Sequence, residues 1–431
     1  MQKTTSQKAL KVISIIMIVF AALTLLLGIG GIVTGGALGI LGAGIGDAGS
    51  AALQKMGSGC AAMLVYSHHQ GLPDLSTEFA ARGCSIFRNG NAAVRAETDA
   101  ALPALLRQHE ALFPRKPNKE VQAYDGDPAV FLRMALSCLA DADHGDTAAA
   151  FGQTEKAMPE LRPQERLAAL DHYVSKFGET DERSSLRREL YQSCRSAEAH
   201  SGFSVCGSPV GSGKTTAVMA HLLEQACKRN ARRIFVVLPY TSIIRQSVDI
   251  YRKALVLPGE TPEDVVAELH SRADFEDIET RYLTALWRAP IVVTTAVAFF
   301  ETLSSHNPAA LRRLHELPGS LIFVDEAHSA LPIRLLPLAW HWMNVLADEW
   351  SCYWVLASGS LVRYWELQPL SGLSMPQPEI AELVRPDLQR ELSRYESSRI
   401  TFRWREKPIG RKELPKWVQE APGPRLLILN T

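Results

Sequence analysis

Hydrophobic and polar positions divide this chain into three stretches of different character. From Val12 to Gly46 there is no charged residue, and Lys3, Lys8 and Lys11 precede the run, which by composition is a membrane segment. As one helix at about 1.5 Å per residue it would reach about 52 Å, well beyond a hydrocarbon core of about 30 Å. The run therefore predicts either a single span from Val12 to about Ile32 or a hairpin turning through Gly28 to Gly36. With the lysines inside, the span would carry the rest of the chain out of the cell, whereas the hairpin would return it to the cytosol. The second limb, with Gly35, Gly36, Gly39, Gly42, Gly44 and Gly46, suits close packing on a partner helix but has poor helix propensity of its own. A signal peptide is the competing reading, because Ala48 to Ala52 holds small residues of the kind found at cleavage sites.

Gly57 to Gly59 close this part, and the pattern becomes helical through about residue 160. Apolar residues at helical spacing between Ala129 and Ala140 predict a buried helix. A charged stretch from Glu179 to Arg188, with Pro159 and Pro163 upstream, reads as connector and helix. Short apolar runs follow at Phe203–Cys206, Ile234–Leu238, Ile291–Thr295, Leu321–Val324 and Trp354–Ala357, separated by helical stretches such as Thr216–Lys228. Such alternation predicts an α/β fold, a parallel sheet covered by helices. After Glu366 the chain is rich in Pro and Leu, and Leu426–Asn430 reads as the first strand of a further domain.

Composition adds limits rather than identity. With 431 residues, 46% hydrophobic and 21% charged, the chain is long enough for two or three globular domains and is not broadly disordered. Its 46 basic residues balance 46 acidic ones, so any nucleic-acid binding must use a local groove and not a global field. The 7 cysteines are scattered without CxxC spacing, which argues against a disulfide framework or structural zinc and reads as reduced thiols.

Candidate chemistry concentrates in two places. Ser208-Pro209-Val210-Gly211-Ser212-Gly213-Lys214-Thr215, followed by Thr216, lies between a predicted strand and a predicted helix. A glycine-rich turn there aims backbone N–H groups at phosphate oxygens, Lys214 adds a mobile positive charge, and Thr215 offers a hydroxyl to Mg²⁺. Ser208 stands where the GxxxxGKT pattern has its first glycine, with Gly207 one residue earlier. Alone, the loop suggests only binding, and a chance Gly/Ser turn is the bland alternative. Asp325-Glu326-Ala327-His328 changes that, because the preceding run Leu321–Val324 places two acids at a strand's carboxyl end, where open parallel sheets bind ligands. Together the motifs predict ATP and Mg²⁺. Lys214 would contact the β and γ phosphates, Thr215 and Asp325 would share the metal, and Glu326 would act as general base on water. His328 reads either as a coupling residue or as a hydrogen-bonded structural histidine. Dependence on ATP favours the hairpin, and hence a cytoplasmic chain tethered to the inner face of the membrane.

Further signatures arrive in the order found in superfamily 2 helicases. Leu238-Pro239-Tyr240-Thr241-Ser242-Ile243-Ile244-Arg245-Gln246 resembles motif Ia, Val293-Thr294-Thr295 the next strand-end motif, and Ser358-Gly359-Ser360 the Ser-Ala-Thr motif with glycine and serine substituted. The resemblance implies a RecA-like lobe with helices on both faces of its sheet. It implies that Thr241, Ser242, Thr294 and Thr295 touch a strand's phosphates, as hydroxyls and amides do without reading sequence. It also implies that Ser358 and Ser360, with His328, couple hydrolysis to domain movement. Adding Ser67-His68-His69-Gln70-Gly71-Leu72-Pro73-Asp74 and Leu139-Ala140-Asp141-Ala142-Asp143-His144-Gly145-Asp146-Thr147, the chain from about residue 60 onward resembles the helicase-nuclease of type I CRISPR systems. In that family an HD-type metal nuclease precedes the helicase and degrades DNA opened by a guide-RNA surveillance complex. His68 and His69 match its paired metal-ligand histidines, and Asp143, or else Asp141, its late aspartate.

Two departures qualify what the resemblance implies. No histidine precedes His68, where the family's earlier histidine and its His-Asp pair belong, and a nuclease centre needs several converging N/O ligands. A partial HD-type domain that does not cut DNA is therefore expected, with a transition-metal divalent ion as its candidate ligand. Leu426–Thr431 resembles the opening of a second RecA-like lobe whose remainder, including an arginine finger, is missing. Loss of such a finger costs about 10³ to 10⁵ in rate, so nucleotide binding is expected without translocation. The expected organisation is a membrane-like segment at 1–58, the partial HD-type domain at 59–160, a linker at 161–184, lobe 1 at 185–370, and a linker with the start of lobe 2 at 371–431. The expected function is that of an ATP-dependent helicase or translocase on single-stranded DNA, partnered by a guide-RNA surveillance complex and incomplete in this chain. The alternatives are a membrane-anchored, non-catalytic nucleotide-binding protein and a DEAH-type RNA helicase.

Overall fold

The computed structural model describes residues 38–55, 57–112, 125–150, 159–269, 286–366, 380–399, 408–420 and 422–423. The helical pattern at the front becomes α1 (Leu38–Lys55), α2 (Gly59–Gln70), α3 (Leu75–Arg82), α4 (Ala92–Leu112) and α5 (Pro128–Ala150). Helix α1 packs on α2 and α4, and α2 packs on α5. Residues 38–46, read from the sequence as the second limb of a membrane hairpin, form the first half of α1. Ala48, Ser50 and Ala51 are buried, and the Asp47 carboxylate, 4% exposed, accepts two 2.8 Å hydrogen bonds from Arg88 and one of 2.6 Å from the Asn89 amide. Small residues let helices approach closely in lipid and in a protein core alike. Among the described residues no helix is long and apolar enough to cross a membrane. Residues 12–37, and the expected strand at Leu426–Asn430, lie outside the described residues.

The second half follows the alternation closely. Helices α6 (Pro163–Ser175) and α7 (Glu182–Ser196) precede β1 (Phe203–Gly207), α8 (Lys214–Arg229), β2 (Ile234–Leu238), α9 (Thr241–Leu255) and β3 (Val266–Leu269). Then come β4 (Ile291–Thr295), α10 (Ala296–Ser304), β5 (Leu321–Asp325), α11 (Leu336–Trp350), β6 (Tyr353–Ser358), β7 (Ala381–Glu382) and α12 (Pro386–Ser398). Seven strands form one sheet in the order β3-β4-β2-β5-β6-β1-β7, and every pair is parallel. The five expected strands are present with the same cores. Edge strands β3 and β7 were not foreseen, and two residues are too few for β7 to show any period.

Alternation of side chains across the pleat explains why these strands read as unbroken apolar runs. Phe203, Val205, Phe235, Val237, Ile322, Val324, Trp354 and Leu356 share one core with Val130, Met134 and Leu136 of α5, Phe299 of α10 and Trp340 of α11. Their neighbours Cys206, Ile234, Val236, Leu321, Phe323, Tyr353 and Val355 share the other with Leu170, Leu190, Leu222, Val248 and Leu388, from α6, α7, α8, α9 and α12. Helices therefore cover both faces, and α5 joins the front block to the sheet. Its Asp141 meets Arg288 at 2.6 Å and Arg312 at 2.9 Å. Because all strands run the same way, the loops after β1, β2, β4, β5 and β6 emerge on one edge, which is where the sequence motifs fall.

Candidate nucleotide-binding site

The loop between β1 and α8 owes its shape to two glycines in the left-handed region, Gly211 at φ +85° and Gly213 at φ +90°, where other residues meet steric cost. Ser208 is buried and explains its place in the motif. Its hydroxyl lies 3.2 Å from that of Ser212, which in turn donates to the Pro209 carbonyl at 2.7 Å. The close approach that the missing glycine would have allowed is made one residue earlier. Gly207 donates its amide to Glu382 at 3.0 Å and receives Gln389 on its carbonyl at 2.8 Å, and a Cβ there would come within 2.5 Å of Gln389 Nε2. Glu382 and Gln389, on β7 and α12, had no sequence signal; they lie 175 and 182 residues beyond Gly207 and meet the loop only through the sheet.

Lys214, almost fully buried at the start of α8, directs Nζ to Asp325 at 3.2 Å and Glu326 at 3.4 Å. The two acids differ in environment. Burial pushes the Asp325 carboxyl above its ordinary value, opposed by Lys214. Burial acts on Glu326 in the same sense, but the Ser358 hydroxyl and Lys214 outweigh it and hold that carboxyl below its ordinary value. Glu326 takes φ +48°, a conformation uncommon for a residue with a side chain and often found at functional turns.

Ser358, at the end of β6, ties this acid to the histidine. Its hydroxyl donates to Glu326 Oε2 at 2.7 Å, lies 2.8 Å from His328 Nδ1, and accepts the Ser360 amide at 3.0 Å. A hydroxyl has one proton to give, so His328 Nδ1 is the donor in its bond to Ser358. Both readings of His328, coupling residue and hydrogen-bonded structural histidine, accommodate this contact. Gly359 has its own reason: a Cβ there would come 3.1 Å from Val210 Cγ2 and 3.3 Å from the Val210 nitrogen, so the substituted glycine lets this segment lie on the phosphate loop. Ser360 contributes its amide. Thr216 turns its hydroxyl back to the Gly213 carbonyl at 3.0 Å.

The expected nucleic-acid residues separate into two groups. Thr241 and Ser242 open α9 at the strand edge, Ser242 exposed. Thr294 is fully buried, and Thr295 caps α10 by accepting the Ala298 amide at 3.1 Å, so neither hydroxyl is presented at the surface. In the front block, His68 and His69 at the end of α2 and Asp143 on α5 bring ligand atoms within 4.8 Å of one another. Burial, then His69, depresses the His68 imidazole, against the pull of Asp143, which keeps a nitrogen available as ligand. A cavity of about 330 Å³ opens beside them, lined by Gly46, Asp47 and Tyr66 among others. Of the two candidate aspartates only Asp143 joins the cluster; two residues apart on a helix, the side chains diverge by about 200°, and Asp141 serves Arg288 and Arg312.

The parallel sheet, with its phosphate loop and acidic strand end on one edge, has the form of a RecA-like nucleotide-binding lobe, and residues 191–334 match the family model of DEAD/DEAH box helicases. That stretch runs from α7 through the phosphate loop to the segment after His328. Among solved structures the chain is similar to Cas3 of T. fusca at 19% identity, covering 79% of this chain and 44% of that one with a TM-score of 0.48. It is similar to the ATP-bound form of that protein at 19% identity, 77% and 42% coverage, and a TM-score of 0.47. A CRISPR RNA-guided surveillance complex captured before nicking matches at 19% identity, 74% and 36% coverage, and a TM-score of 0.38. The chain thus spans about two fifths of the length of these relatives. No curated protein matches it.

Proposed function

We propose that this chain carries the ATP-hydrolysing lobe of a CRISPR-interference helicase, which couples ATP turnover to travel on single-stranded DNA beside a guide-RNA surveillance complex. The observation that carries this reading is Lys214 held between Asp325 and Glu326, with Glu326 tied through Ser358 to His328. The Thr215 hydroxyl and the Asp325 carboxylate are hard oxygen donors suited to Mg²⁺, and the ammonium now between the two acids marks a place that favours positive charge. When bound there, Mg²⁺ neutralises charge on the β and γ phosphates. Lys214 leaves the acids for those phosphates, and the amides of the loop and the first turn of α8 cradle them. Glu326, released from Lys214, gains basicity and orients the attacking water. Because Ser358 stays on Glu326, displacement of residues 358–360 reaches the base directly. At the sheet edge Thr241 and Ser242 position the strand's phosphates.

For the front block the proposal is narrower. His68, His69 and Asp143 hold one divalent transition-metal ion and do not cut DNA. Three N/O donors suffice for one ion with open positions, but the neighbouring acids are engaged elsewhere, Asp47 with Arg88 and Asp141 with Arg288 and Arg312.

Titration of a fluorescent ATP analogue with Mg²⁺ into the full chain tests the first part. Lys214→Ala should abolish binding, and unchanged affinity would refute the site. Stimulation of ATP turnover by single-stranded DNA supports the assigned track, whereas stimulation by RNA alone would replace it with the RNA-helicase reading. Calorimetric Mn²⁺ titration with a linked nuclease assay tests the second part. Binding lost in His69→Ala is expected, and metal-dependent cleavage lost in the same variant would overturn the claim that the block does not cut.

A further inference from the structure

Two arginines outside every motif hold the outer side of the phosphate loop. Arg183 and Arg187 lie one turn apart on α7, and both reach the Gly211 carbonyl: Arg187 through Nε at 3.0 Å and Nη2 at 2.7 Å, Arg183 through Nη2 at 3.5 Å. The Arg187 stem passes the loop's other left-handed glycine, where a Cβ on Gly213 would come 3.6 Å from its Cγ. Arg183 is braced from behind by Glu396 of α12 at 3.2 Å. In a trans peptide the carbonyl and the following N–H point in opposite directions. Fixing the Gly211 oxygen outward therefore turns the Ser212 amide into the hollow of the loop. There it makes only a long 3.3 Å contact with the Pro209 carbonyl, an oxygen that already accepts the Ser212 hydroxyl at 2.7 Å. The amide is thus free to pass to a phosphate oxygen. Without the clamp the peptide at Gly211 would turn readily, because glycine restricts rotation least.

We propose that Arg187, supported by Arg183, is a positioning residue for nucleoside di- and triphosphates: it presets the Ser212 amide toward the polyphosphate and adds positive charge beside it. The inference rests on the reading of the loop as an ATP site. It predicts recognition of the phosphate chain and indifference to the base. ATP affinity of the full chain should fall about tenfold in Arg187→Ala, equivalent to about 1.4 kcal/mol, while the unfolding midpoint without nucleotide stays in place. Inorganic tripolyphosphate, competing against the fluorescent ATP analogue, should weaken by the same factor. Arg187→Lys keeps the charge but cannot set two N–H groups on one oxygen, so it should recover less than half of the loss. Full recovery in Arg187→Lys would leave charge alone and overturn the clamp. An ATP loss with unchanged tripolyphosphate competition would assign Arg187 to the base and overturn the inference as well. Lys214→Ala, measured alongside, separates the two levels: if it abolishes binding while Arg187→Ala matches wild type, only the clamp fails; if it binds normally, the site itself fails.

Discussion

Replacing Asp141 by alanine tests how the front helices are joined to the helicase lobe. The carboxylate is 8% exposed and takes hydrogen bonds from Arg288 Nη2 at 2.6 Å and from Arg312 Nε and Nη2 at 3.2 and 2.9 Å, with His315 Nε2 at 3.6 Å. All three partners belong to the lobe, so the contact spans the junction. Two guanidiniums, whose side chains are 11% and 15% exposed, would lose their shared acid. Breaking a buried pair from one side costs about 3 to 5 kcal/mol. The lower figure, about 3 kcal/mol, applies here, because Glu316 stays within 3.8 Å of Arg288. Equilibrium urea unfolding followed by tryptophan fluorescence reads the loss, as α5 packs in the same core as Trp340 and Trp354. The same variant separates the two aspartates: Asp141→Ala should retain Mn²⁺ binding and Asp143→Ala should not. A loss below about 1 kcal/mol, the range of an exposed pair, would refute the reasoning.

Three further outcomes follow from the geometry. His221 is buried with Nδ1–H on the Cys194 carbonyl at 3.0 Å and Nε2 at 2.7 Å from Tyr353 Oη, and burial lowers its pKa to about 4 from 6.5. The unfolded chain binds the proton first, so this contribution is complete above pH 6.5 and is lost as pH falls toward about 4. The total is on the order of 3 kcal/mol, read as a shallower pH dependence of unfolding in His221→Phe. Gly211→Ala forces a side chain to φ +85° and brings its Cβ to 2.7 Å from Arg183 Nη2; the backbone term alone costs about 1 to 2 kcal/mol, visible as a lower unfolding midpoint together with weaker ATP binding. Ser358→Ala removes the 2.7 Å donor to Glu326 but no loop contact, so ATP affinity should stay within about threefold while turnover falls by about tenfold or more. Equal losses in both would place Ser358 in binding instead of coupling.

The sequence by itself determined the features that depend on neighbours along the chain. Strands such as Ile234–Leu238, buried on both faces, must be apolar throughout, so they are legible as runs. Gly211 and Gly213 announce a turn because few other residues adopt its backbone. Asp325 and Glu326 are legible because a strand end fixes where the next residues point. Contacts between distant segments carried no such mark. Residues 38–46 read as a membrane limb, and the pairing of the adjoining Asp47 with Arg88, 41 residues further along, had no mark in the sequence. The resemblance points to Asp143 ahead of Asp141, and the orientation of α5 on the sheet gives the physical reason: one faces the histidines and the other the arginines of the lobe. The surroundings of the phosphate loop, Glu382 and Gln389 on Gly207, Arg183 and Arg187 on Gly211, and Ser358 between Glu326 and His328, arise because parallel strands bring remote loops to one edge. Local periodicity and turn chemistry decided which elements form; only the sheet order decided which side chains surround the phosphates.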